Sequence, residues 1–247
     1  MLRIQRIHSH TRTTLLGLFL LFTLTKGYSA PISTHFTTVR LKIAGKYISD
    51  TIPVRSSGTE TYVGVGVLKY VGATAKTTRM GDSVLISTPS NGQTTEVGFA
   101  RIEGQSLLPL SEVVRLVKGT VARGYDKADT ADTYDRETVY LLAKVTRIQV
   151  RTDGLRLETG FPVPYKVRNV NEPGQYRGYV DCIGAALSDT VIPQVNPDMS
   201  QTVRRVRTGQ NEKDVARIVV EFRDRQGLAI ADALDNDNRR IVASLTN

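Results

Sequence analysis

Residues 161–181, FPVPYKVRNVNEPGQYRGYVD, alternate apolar and polar side chains from Pro162 to Val170, break at Glu172-Pro173-Gly174, then resume and stop on Asp181. A period of two marks strands with one face turned inward, and a Pro-Gly pair between two such runs marks a turn. VARIVVEFRD (215–224) has the same period, with Ala216, Ile218, Val220 and Phe222 on one side and Arg217, Val219 and Glu221 on the other. VTRIQVRTDGLRLETG (145–160) reads as two strands around a Thr152-Asp153-Gly154 turn. TVRRVRTGQ (202–210) reads as a strand, and GLAIADAL and RRIVASLTN as a closing pair around Asp235-Asn236-Asp237. A polar, proline-bearing segment, Ser188 to Ser200, interrupts them. Short strands at this spacing predict a small antiparallel β-sandwich over residues 145–247.

The first half mixes two periods. VRLKIAGKYISDTIPV (39–54) predicts a strand, a Gly45-Lys46 turn and a second strand. A repeat follows. Residues 61–88 and 106–143 each hold a short apolar strand, then apolar residues three and four apart, then a hairpin. Gly72 and Gly119 are the expected helix stops, and Ser111 is the expected N-cap of the second helix. Met80-Gly81-Asp82 makes the first hairpin turn, and Tyr125 to Glu137 a longer acidic loop. The predicted fold is therefore mainly β: an α+β domain over 38–143 with a repeated strand–helix–hairpin unit, then the sandwich over 145–247. The junction around Leu142 to Val145 is short and apolar, which predicts a fixed arrangement rather than a floppy tether.

The N-terminus has another character. Arg3, Arg6 and Arg12 precede the apolar run LLGLFLLFTL (15–24), and TKGYSA follows. That order is the layout of a secretory signal peptide over residues 1–29, with Gly27 and Ser29 placing cleavage after Ser29. The run is short for a bilayer span, so membrane contact is expected only through an uncleaved signal segment. The chain is read as exported to the periplasm or cell envelope. The formal charge of +9 shrinks accordingly. Residues 1–29 hold four basic and no acidic side chains, leaving 29 basic against 24 acidic, or +5. An excess of that size does not argue for nucleic acid; it suits loose attraction to an anionic polymer. With 40% hydrophobic and 23% charged residues the remainder reads as globular rather than disordered.

Candidate chemistry is sparse. Cys182 is the only cysteine, which excludes an internal disulfide, and its apolar context reads as a small buried hydrophobe. The three histidines are His8, His10 and His35, and two of them lie in the leader. No zinc site of the usual His/Cys kinds is expected, and a Ser-His-Asp triad would rest on His35 alone. No glycine-rich phosphate loop is present. The acidic residues gather in expected turns such as Asp126 to Asp135 and Asp232 to Asp237. No catalytic residue, metal ligand or cofactor is expected.

Two resemblances add to this. Residues 38–143 resemble the copper amine oxidase-like N-terminal domain, an envelope stalk module without oxidase activity. The similarity rests on Val39 to Lys46, on the LLPLSEV step (107–113) and on the paired hairpins. Residues 145–247 resemble the AMIN domain, a module found ahead of peptidoglycan amidases and in type IV pilus secretins. The matching marks are Val145 to Val150, PVPYKV (162–167), Pro173 with RGYVD (177–181), VRRVRTGQ (203–210), VARIVVEF (215–222) and the closing RRIVASL. Gly178 and Tyr179 stand where that family usually has an apolar pair. The second resemblance implies a non-catalytic envelope protein that binds peptidoglycan or another anionic cell-wall polymer, with envelope proteins as further partners. It also implies two alternatives: the forward part of an N-acetylmuramoyl-L-alanine amidase whose zinc domain is missing, or a pilus or secretin scaffold. Arginine forks match the carboxylates of wall peptides, and tyrosines can stack on sugar rings. The candidate ligand residues are Arg177, Arg204, Arg205, Arg207, Arg217, Tyr165 and Tyr179. The structural alternative keeps Tyr165 and Tyr179 partly in the core, pairs Arg177 with Asp181 or a neighbour, and leaves the other arginines to solvate an exposed face.

Overall fold

One strand organises the molecule. Arg136–Arg151 is sixteen residues long and runs straight through the expected division between Ala143 and Val145. On one edge it pairs antiparallel first with Gly119–Asp126 and then with Gly154–Thr159. On the other it pairs parallel with Arg40–Ile43, then Ala185–Leu187, then Gln194–Val195. The computed structural model describes residues 35–88, 93–126, 136–234 and 240–246, within one compact unit, His35–Asn247. The expected signal peptide and the Asp235-Asn236-Asp237 turn lie outside the described residues.

Strands from both halves of the chain thus share a nine-stranded sheet, and the described residues are mainly β. The join between the halves is tight. Arg40–Ile43 turns back on Lys46–Tyr47 through Ala44 and Gly45, both at positive φ (49° and 77°). The turn is Ala44-Gly45, one residue earlier than the sequence pattern places it, because Ile43 pairs with Lys46. Gly184 packs on it so closely that a side chain there would run into the Ala44 backbone.

The first half carries the expected order of elements twice. Thr61–Val63 leads to a 3-10 helix, Val65–Val71, and a hairpin, Thr74–Thr77 with Ser83–Ser87. Gln105–Pro109 leads to an α-helix, Leu110–Leu116, and the hairpin of Gly119–Asp126 with Arg136–Arg151. The two leading strands pair antiparallel, Tyr62 with Pro109 and Val63 with Leu108. Gly72 ends the first helix in the left-handed region, φ 69°. The second helix departs from expectation at both ends. Pro109 is its N-cap, Ser111 sits inside the first turn, and the Ser111 N–H donates to Glu60 Oε1 at 3.4 Å. Lys118, not Gly119, takes the positive φ after the helix, and Gly119 already begins a strand. Tyr125 and Glu137 are cross-strand partners rather than loop residues, so only residues 127–135 lie between the strands, outside the described residues.

In the second half, Tyr165–Glu172, Gln175–Ile183, Val215–Phe222 and Val203–Glu212 form a four-stranded antiparallel sheet, in the order just given. Its inner face, including Val180, Cys182, Ala216, Ile218, Val220 and Phe222, joins one core with Val145, Ile148, Leu155, Leu157 and Val242 of the large sheet. The arrangement is sandwich-like. Each of these apolar side chains contributes about 1.5–3 kcal/mol by leaving water, and this burial forces the strict alternation seen in the sequence.

Candidate functional site

The same alternation that fills the core presents a charged outer face. Tyr165–Glu172 and Gln175–Ile183 are joined by Pro173 and Gly174, with Gly174 at φ 78°, where glycine is the residue of choice. The register then lines up three rows across the sheet. Lys166 lies opposite Asp181, which lies opposite Arg217. Arg168, Tyr179, Val219 and Arg207 make the second row. Val170, Arg177, Glu221 and Arg205 make the third.

Two carboxylates hold part of this cationic face. Arg217 grips Asp181 with a two-point fork, Nε to Oδ1 at 2.6 Å and Nη2 to Oδ2 at 2.9 Å. That hydrogen bonding holds the Arg217 guanidinium above its usual pKa. Glu221, 8% exposed, sits beneath Arg207 (3.0 Å) and Arg177 (3.9 Å). The Arg177 pKa is raised as well, chiefly by its hydrogen bond to Tyr179, then by charge interaction with Tyr179 and with Glu221. Tyr179 is flanked by guanidiniums, with Arg168 4.8 Å and Arg217 5.9 Å from its ring centre. Such contacts contribute about 0.5–1 kcal/mol each at exposed sites. Among the described residues, Arg168, Arg204 and Arg205 are exposed and have no carboxylate within ion-pair reach.

The structure therefore gathers five of the seven candidate residues, Arg177, Tyr179, Arg205, Arg207 and Arg217, on one face. Arg204 is the extra residue of a β-bulge between Val203 and Arg205 and is exposed beside that face. Tyr165 belongs to the opposite face. It packs against the core, and its hydroxyl donates to the Ala231 carbonyl. Of the partners suggested for Arg177, Asp181 or a neighbour, it takes a neighbour, Glu221 on the adjacent strand; Asp181, about 13 Å away along the same strand, belongs to Arg217. Lys166 and Arg168 join the face although the sequence reading did not select them. The signal was their period-two spacing within YKVRNV, which puts them on the side away from Tyr165 and Val167.

Beside the Lys166 row lies a cleft of about 240 Å³. The Ala44-Gly45 turn walls one side through Lys42 and Gly45, and the sheet walls the other through Lys166, Asp181, Ile183, Val215 and Arg217, with Asn211, Glu212 and Asp214. Lys42 Nζ stands 2.9 Å from Asp214 Oδ2 there, with both side chains mostly buried. Among the described residues no group of His, Cys, Asp and Glu side chains is arranged to hold a metal ion. No family model matches the chain, nor does any curated protein or solved structure.

Proposed function

We propose that this chain is a non-catalytic cell-envelope protein that binds an anionic cell-wall polymer, peptidoglycan foremost, on the outer face of the four-stranded sheet. The observation that carries the reading is the set of exposed, unneutralised guanidiniums, Arg168, Arg204 and Arg205, on or beside this face, with Arg168 stacked on Tyr179. Guanidinium forks suit the carboxylates of wall peptides, and a flat strand face suits an extended chain. The AMIN-like order of motifs over 145–247 supports the ligand class, and the leader-like N-terminus supports export. The internal pairs, Arg217 with Asp181 and Arg207 with Glu221, hold the face in shape and leave the remaining cations to the ligand.

Co-sedimentation of the protein with purified sacculi tests this directly. Binding that weakens as salt rises is the expected result, because exposed charge contacts are screened. No peptide or glycan should be released. A protein that stays in the supernatant at low salt overturns the binding reading, and release of wall peptide overturns the non-catalytic one.

A further inference from the structure

The cleft beside the Ala44-Gly45 turn differs from the rest of the cationic face, because its charges balance. Lys42, Lys166 and Arg217 line it together with Asp181, Glu212 and Asp214. Two pairs are closed internally, Lys42 with Asp214 and Arg217 with Asp181. That leaves Lys166 and Glu212, both exposed and, among the described residues, in no ion pair. They sit on the two edge strands of the four-stranded sheet. Three strand spacings and a two-residue offset along the strands separate them, about 16 Å between backbones, and both side chains line the cleft.

From this we infer that the cleft is a binding site for an extended zwitterion, with a carboxylate toward Lys166 and an ammonium toward Glu212. A dianion would bring a carboxylate against Glu212, and a diammonium would bring a cation against Lys166; either mismatch is repulsive. A short zwitterion such as alanine cannot touch both edges at once. The volume, below the roughly 300–1,000 Å³ of drug-sized sites, suits a molecule with a single short chain between its charges. The inference rests on the cell-wall reading and narrows it: the cleft would take a stretch of wall peptide with a carboxylate at one end and an ammonium at the other, while the guanidiniums hold the chain.

The test is a titration of the full chain with 7-aminoheptanoate, followed by heteronuclear NMR or calorimetry. Pimelate, cadaverine and alanine serve as controls for the missing ammonium, the missing carboxylate and the missing length. Saturable binding of 7-aminoheptanoate, with each control at least ~10-fold weaker, is expected. Lys166→Glu and Glu212→Lys should each remove it, and the double swap should restore it, since the ligand can enter reversed. Both positions are exposed, so unchanged thermal melting is the check that the variants fold. The inference is overturned by absence of saturable binding, by equal binding of pimelate or cadaverine, by single variants that bind as well as the parent, or by a double swap that stays inactive. Sacculus co-sedimentation of the parent protein separates the two levels. Sedimentation without 7-aminoheptanoate binding sinks this site alone, and 7-aminoheptanoate binding without sedimentation sinks the wall-polymer reading.

Discussion

Asn169 completes the hydrogen bonding of Leu228 as a strand would. Its Nδ2 donates to the Leu228 carbonyl at 2.8 Å, and its Oδ1 accepts from the Leu228 N–H at 2.9 Å. One carboxamide thus ties the four-stranded sheet to Gly227–Leu234, the end strand of the large sheet. Asn169→Ala leaves a part-buried donor and acceptor without partners, which costs about 1–3 kcal/mol. Urea denaturation should show the midpoint falling with little change in slope. A midpoint equal to that of the parent would mean that water replaces the amide.

Leu228 makes a second demand. A methyl group on Gly178 would lie 2.6 Å from Leu228 Cδ1, in the layer between the sheets. This explains why glycine precedes Tyr179. Gly178→Ala should lose about 1–3 kcal/mol through overpacking, and Gly178→Ala with Leu228→Ala should recover part of that loss, the signature of contact between the two sites. Additive losses in a double-mutant cycle would contradict the contact.

Two of the positive-φ glycines of the second half should differ. Gly174, φ 78°, has open space around it, so Gly174→Ala meets only backbone strain of about 1–2 kcal/mol. Gly184, also φ 78°, would in addition drive a side chain into the Ala44 backbone. Gly184→Ala should therefore be much the more damaging, and thermal melting of the two variants ranks them.

Arg168→Ala with Arg205→Ala should weaken sacculus binding by about 2- to 30-fold, each exposed charge contact being worth about 0.2–1 kcal/mol, with melting lowered only slightly by loss of the Arg168–Tyr179 contact. Arg217→Ala should instead lower stability, because it strips the partner from Asp181. If the double variant binds as tightly as the parent, the ligand face lies elsewhere.

Tyr70 titrates below the ordinary tyrosine range, chiefly because Thr51 hydrogen-bonds its side chain, with the charge of Lys69 adding to this. A lowered acid pKa means that the folded state favours the phenolate. The contribution to stability is complete above the unfolded value and is lost as pH falls through the folded one. Ultraviolet titration should show one tyrosine ionising early, and Tyr70→Phe should remove that component. Arg217 has the opposite sign: its raised pKa gives stability that is lost only as pH rises through the folded value, in strong alkali.

Much of the second half was legible in the sequence, since burial on one face imposes a period of two. The alternation of Ala216, Ile218, Val220 and Phe222 against Arg217, Val219 and Glu221 is the alternation observed, and Pro173-Gly174 could only be a turn. The ends of the second helix were not legible, because caps depend on what stands opposite: Glu60, 51 residues away, serves the helix that Ser111 was expected to start. Charge partners were hidden for the same reason. Arg177 and Arg217 look alike along the chain, and only the register between strands gives Asp181 to one and Glu221 to the other. Local composition alone determined which residues form strands and which side of each strand is wet. Tertiary structure decided which strands are neighbours, and with that which cations are neutralised, which remain open to a ligand, and that both halves meet on one long strand. Hydrophobic periodicity is a property of a segment, whereas pairing and electrostatic neutralisation are properties of segments brought together.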